Sequence, residues 1–194
     1  MKKSWFLGLV VLLTCLCGFQ PPTEAAFAYK PVAFVLLDNT GEVNKDIASS
    51  WYEQVRQAYH VPYYEIIKTD TPRQVALEVL AASKEPVARL TPAVFKEIAQ
   101  KVPAEVVVLV ALRQMQQRLV YSTGFRWHDE GGEMLEEVRV VADLYVYRTD
   151  TQQLLGQKIR YWETEEVPVS TPAPEVVKWE LRRLVNKMEH REQI

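Results

Sequence analysis

The spacing of apolar positions changes several times along the chain, and each change marks an element boundary. Val32 to Leu37 is a continuous apolar run closed by Asp38-Asn39-Thr40-Gly41, the pattern of a strand covered on both faces that ends in a turn. From Asn44 the period becomes three to four: Ile47, Trp51, Val55 and Ala58 fall on one stripe with Ala48, Tyr52 and Tyr59 beside it, while Lys45, Glu53 and Arg56 fall opposite. This predicts a helix capped by Asn44 with its stripe laid on a sheet. Pro62 interrupts the pattern, and the aromatic, β-branched Tyr63 to Ile67 predicts a second strand.

Two helices are expected next. Thr71-Pro72-Arg73-Gln74 reads as a threonine cap with proline at the first helical position and glutamine at the third, turning Val75, Val79 and Leu80 inward. Thr91-Pro92 opens another helix, with Val94, Phe95, Ile98, Ala99 and Val102 on one side and a stop at Pro103. Val106 to Leu112 is then apolar throughout, after which Met115, Leu119 and Tyr121 alternate with Gln114, Gln116, Arg118 and Val120. A doubly covered strand is therefore expected to run on into a half-exposed arm.

Beyond the glycine-containing connection from Ser122 to Glu133, Val138, Val140, Ala142, Leu144 and Val146 alternate with Arg139, Val141, Asp143, Tyr145 and Tyr147. Asp150-Thr151-Gln152-Gln153 turns the chain, and Leu155 to Glu163 returns as a fifth strand, antiparallel by virtue of the short turn. Tyr145, Tyr147, Tyr161 and Trp162 form an aromatic series that cross-strand stacking explains; Tyr145 and Tyr147 either form an exposed patch or, as expected here, are buried beneath the final helix, Glu175 to Glu189, whose own inner face is Val177, Leu181, Leu184, Val185 and Met188. The whole order predicts an α/β (α+β) fold, one mixed sheet of about five strands with an antiparallel three-stranded segment, flanked by about four helices.

The first 28 residues stand apart. Lys2 and Lys3, the apolar run Trp5 to Leu16 and the small residues around Ala26-Phe27-Ala28 follow the order of a secretory signal peptide. The expected organisation is a leader over 1–28 and a single domain over 29–194, placed in the periplasm or outer cell envelope. No later apolar run reaches the roughly 20 residues that a membrane helix requires. Thr14 before Cys15 and Leu16 before Cys17 argue against a lipid anchor, which wants a small residue there. Both cysteines leave with the leader, so disulfides, thiolate chemistry and cysteine-held zinc are not expected in the domain. Loss of Lys2, Lys3 and Glu24 takes the net charge from −2 to −3, which excludes the broad basic surface of a nucleic-acid binder.

Three stretches carry a resemblance to a known group. Val32 to Gly41 is an opening strand with a polar Asn-Thr loop, Leu90 to Leu109 a helix running straight into a hydrophobic strand, and Val138 to Gly156 a strand, the turn "DTQQLLG" and a strand. Together these resemble the small envelope α/β domains of CsgG, the amino-terminal domain of TolB, and LpoB. The resemblance implies a non-enzymatic adaptor or assembly domain whose partner is an envelope protein or a cell-wall component; likeness of fold alone does not assign function. The sequence sets no oligomeric state.

Candidate chemistry is sparse. Phe125, Trp127, His128 and Asp129, with Glu130 and Glu133, form the densest polar and aromatic group in a loop. A lone histidine beside consecutive acids on a glycine-rich turn reads first as a solvated hairpin tip, and its functional reading is partner contact, not metal binding. Asp38, Asn39 and Thr40 sit where the first strand ends, the edge at which α/β sheets bind ligands, although turn formation explains these residue types as well. His60 reads as a helix-end residue and His190 as part of a charged tail. No phosphate loop, Gly-x-Ser-x-Gly or His-Glu-x-x-His spacing occurs, so neither cofactor nor catalytic residue is assigned. The rival reading, a secreted hydrolase or small-ligand binder, requires residues that converge only in space.

Overall fold

The computed structural model describes residues 29–60, 63–122 and 133–191. The expected leader over 1–28 and the group Phe125, Trp127, His128 and Asp129 lie outside the described residues. The strands are β1 (Lys30–Asp38), β2 (Tyr64–Ile66), β3 (Val106–Ser122), β4 (Glu133–Arg148) and β5 (Leu154–Glu166). The helices are α1 (Lys45–Ala58), α2 (Thr71–Ser83), α3 (Pro92–Lys101) and α4 (Ala173–Met188). All five strands form one mixed sheet in the order β2-β1-β3-β4-β5. β2 and β3 lie parallel to β1, whereas β3, β4 and β5 form an antiparallel meander.

Chain direction decides which helix lies on which face. The crossover from β1 to β2 moves outward across the sheet and the crossover from β2 to β3 moves back past β1. Right-handedness of both places their helices on opposite faces. α1, joined later by α4, covers Val32, Val106, Val108, Val110, Leu112 and the Val138 to Val146 row. On the other face α2 and α3 cover Ala33, Val35, Leu37, Val107, Leu109 and Ala111. Trp51, fully buried in α1, donates its indole N–H to the Pro174 carbonyl at 3.0 Å and so ties α1 to the start of α4. Each fully buried Val or Leu among these contributes about 1.5–3 kcal/mol on burial.

Asn44 caps α1 as the sequence predicts, its Oδ1 accepting from the Ile47 amide at 2.9 Å. At α2 the expectation shifts by one residue: Asp70 is the cap position, without a side-chain bond, and Thr71 is already helical. A second correction concerns Tyr145 and Tyr147. Both are buried, but beneath α3 on the face opposite α4, with the Phe95 ring 5.4 Å from Tyr145 and 6.0 Å from Tyr147. The Tyr145 hydroxyl donates to the Val87 carbonyl at 2.9 Å. Across the β4–β5 ladder its ring lies over Gly156, where an added Cβ would be 2.9 Å from a ring carbon.

β3 and β4 form the predicted arm, and its geometry turns on a bulge between Leu112 and Gln114. Before it the even-numbered residues of β3 face α1 and α4; after it Met115 takes that side. Ala173 at the start of α4 reaches the arm through its amide, which the Gln117 side chain accepts at 3.3 Å. Leu119, Tyr121 and Met134 lie farther out and are exposed. Among the described residues no helix is long and apolar enough to cross a membrane.

Candidate functional site

The turn after β1 is built around one carboxylate. Asp38 Oδ1 accepts from the Thr40 amide at 2.8 Å, the Thr40 hydroxyl at 2.7 Å and the Gly41 amide at 3.2 Å, and Oδ2 accepts from the Val43 amide at 3.2 Å. Gly41 supplies the positive φ of 74° that lets the chain reverse. Burial acts most strongly on this carboxyl and pushes its pKa up, but the bonds from Thr40, Val43 and Gly41 together outweigh burial and hold it below the usual carboxylate range. Asp38 is thus a fixed anion that organises backbone amides. Asn39 continues the same turn, its amide donating to the Leu112 carbonyl at 3.2 Å.

Beside this turn, at the carboxyl ends of β1 and β2, lies a cleft of about 620 Å³. Phe34, Leu36, Tyr52 and Ile67 provide its apolar surface; Lys45, Lys68, Arg73, Asp38 and Asp70 provide its charges. His60 lines a neighbouring hollow with Tyr59 and Tyr64, and His190 a different one beside Leu155. Tyr59 is buried, and that burial first, then the Glu189 carboxylate, pushes its phenol well above the usual range. Among the described residues, no group of three or more metal-ligating side chains gathers.

The second constellation occupies the open face of the arm, on the α2–α3 side but beyond both helices. Register places Gln116, Arg139 and Trp162 in one row across β3, β4 and β5, and Arg118, Glu137 and Thr164 in the next. Glu137, only 5 % exposed, is the hub. Its Oε2 accepts from Arg118 Nε at 2.6 Å, and its Oε1 accepts from Arg139 Nε at 2.7 Å and from the Trp162 indole N–H at 3.0 Å. The Arg139 guanidinium lies 4.5 Å over the Trp162 ring, a cation–π contact that holds both planes. The bonds from Arg118 come first in keeping the Glu137 carboxyl below its ordinary range, those from Arg139 adding to them against the pull of burial.

Around this hub the face is cationic. Arg113 pairs with Asp143, itself 2 % exposed. Lys158 stands opposite Asp143 and Arg160 opposite Val141; both are exposed and have no ion-pair partner among the described residues. The carboxylates lie deep and the cations stand outermost: Arg118 has a side-chain exposure of 61 % and Trp162 a residue exposure of 70 %. A hydrogen-bonded sheet face with pinned guanidinium groups and an exposed indole is suited to recognition, because little side-chain freedom is lost when a partner docks.

The structure places Asp38, Asn39 and Thr40 at the cleft edge, with Asp38 satisfied by its own loop. Sequence reasoning did not single out Glu137, Arg118 and Arg139, and saw Trp162 only as one of a series with Tyr161. The signal was present in the alternation: Arg118, Arg139 and Trp162 all fall on the outward side of predicted strands. What brings them together is register, and a connection of ten residues between β3 and β4 does not fix register from sequence.

No family model matches the chain, and no curated protein is similar to it. Solved structures with likeness to it include a PelC dodecamer from Paraburkholderia phytofirmans, at TM-score 0.38 and 13 % identity over 81 % of this chain and 86 % of that one. A putative neuraminyllactose-binding hemagglutinin homologue from Helicobacter pylori gives TM-score 0.35 and 10 % identity over 84 % of this chain and 81 % of that one. A minor lipoprotein from Acinetobacter baumannii gives 0.29 and 7 % over 84 % of this chain and 88 % of that one. At these scores the likenesses carry nothing further to this chain.

Proposed function

We propose that this chain is an exported, envelope-associated interaction domain of the class to which CsgG, the amino-terminal domain of TolB, and LpoB belong, and that it meets an envelope protein or cell-wall component through the open face of the β3–β4–β5 arm. The observation that carries the proposal is the hub at Glu137, which fixes Arg118, Arg139 and Trp162 on a surface that none of the described helices covers. Arginine and tryptophan are the residues most enriched where binding energy concentrates. Asp38, the charged group best placed at the cleft, is committed to backbone amides and not poised for proton transfer.

The test is site-specific photo-crosslinking in cells producing the full chain. A crosslinker in place of Arg160, on the arm face, is compared with one in place of Arg183, on the exposed side of α4. An adduct formed from position 160, absent from position 183 and lost on Trp162→Ala or Glu137→Gln, supports the proposal. Equal adducts at both positions, or none at position 160, overturns it. Sequencing of the mature amino terminus tests export separately, with a start at Tyr29 expected.

A further inference from the structure

The two faces of β1 are treated unequally. Ala33, Val35 and Leu37 are buried beneath α2 and α3, whereas Phe34 and Leu36, one step over on the α1 side, are only half-buried. β1 pairs with β3 as far as Asp38 but with β2 only over Lys30 to Val32, so Phe34 and Leu36 lie beyond the end of β2 and depend on a helix to seal them. Here the seal is incomplete, because α1 covers Val32 and leaves the carboxyl end of the strand open as the floor of the cleft. Its volume of about 620 Å³ falls within the range of roughly 300–1,000 Å³ for small-molecule sites, and it sits at the strand ends where open α/β sheets take ligands.

The rim carries the electrostatic information. Lys45, Lys68 and Arg73 all line the cleft and have no ion-pair partner among the described residues. Of the two carboxylates there, Asp38 directs both oxygens at its own loop, which leaves Asp70 as the one facing the three cations without such bonds. The Phe34 and Tyr52 rings meet edge to face at 6.2 Å and give the cleft an aromatic wall. From this combination we propose that the cleft binds a small amphipathic anion, a molecule with a flat apolar body and one carboxylate, sulfonate or phosphate group. The apolar body packs on Phe34, Leu36 and Tyr52, and the anionic group meets Lys68 and Arg73. This site is separate from the arm and does not depend on what the arm recognises.

The probe is 1-anilinonaphthalene-8-sulfonate, titrated by fluorescence against the purified chain, with N-phenyl-1-naphthylamine as the uncharged counterpart. Saturable binding of the sulfonate, with the neutral compound weaker, is expected. The double variant Lys68→Glu, Arg73→Glu should weaken sulfonate binding by about tenfold or more, equivalent to about 1.4 kcal/mol. Ser49→Trp, which fills the cleft from α1, should remove it. Arg160→Glu, on the arm, makes the same kind of charge change elsewhere and should leave it unchanged. Circular dichroism and melting temperature identify which variants remain folded. The proposal is overturned by the absence of saturable binding to the wild-type chain, or by folded cleft variants that bind as Arg160→Glu does.

Discussion

Replacing Gly156 by alanine should destabilise the domain, against the intrinsic preference of the backbone. Within a strand, alanine is favoured over glycine by roughly 0.5–1 kcal/mol, because glycine loses more freedom on folding. The packing around Gly156 reverses the sign. The new Cβ would lie 2.9 Å from Cε1 and 3.0 Å from Cδ1 of Tyr145. That ring is not free to retreat, since its hydroxyl is bonded to the Val87 carbonyl at 2.9 Å and its face lies against Phe95. Forcing extra volume into a packed site costs about 1–3 kcal/mol, and a swing of the ring that breaks its hydrogen bond costs about 0.5–1.5 kcal/mol more. After the backbone gain is set against these, the net loss is about 0.5–4 kcal/mol. Urea denaturation should show this as a lower midpoint with an unchanged slope. In a Tyr145→Val background the same substitution should become neutral or stabilising, because the two residues couple directly. Wild-type stability for Gly156→Ala, or an undiminished loss in the Tyr145→Val background, would refute the reasoning.

Two further outcomes follow from named contacts. Trp51→Phe should lower stability by about 1–3 kcal/mol, since it removes the bond to Pro174 and leaves a void between α1 and α4; thermal unfolding that matches the wild type would show that the indole is not the tie between the two helices. Asp38→Asn should be less stable than wild type at neutral pH, with the gap closing in acid. The folded carboxyl lies below its ordinary value of 3.8, so its contribution is complete above that value and disappears as pH falls through the folded pKa. A stability difference that persists unchanged well below pH 3.8 would sink this assignment.

Most of the fold was legible because it is written in periods. The inner faces predicted for α3 and α4 are buried residue for residue, from Val94 and Phe95 to Leu184 and Met188. The arm was visible in the change from the apolar run Val106 to Leu112 to alternation. The errors arose where a local pattern has two solutions. Asp70 and Thr71 are both competent cap residues, and the helix starts from the earlier one. Tyr145 and Tyr147 alternate with the α4-facing row and so had to lie on the other side, but which helix covers that side depends on crossover handedness, a property of three strands together. The candidate site was less legible still. Glu137 in isolation is an ordinary strand glutamate, and it becomes a hub only through Arg118 across the ladder, the diagonal Trp162, and Arg139 two residues along its own strand. The half-open state of Phe34 and Leu36 has no sequence signal, because their types are those of a fully covered strand.

The irregularity at Arg113 sets the phase of everything beyond it. A regular strand would present one parity of side chain to α4 along its whole length. With one residue left over, the inner half and the outer half of β3 present opposite parities, and Arg113 itself is swung out to meet Asp143. Single-residue insertions or deletions between Gln114 and Ser122 therefore exchange Met115-side residues for Arg118-side residues, turning guanidinium groups toward α4 and apolar groups toward water. Changes of two residues preserve the sidedness. Natural or designed variation in arm length should therefore come in even steps, matched on β4, wherever the outer surface is retained.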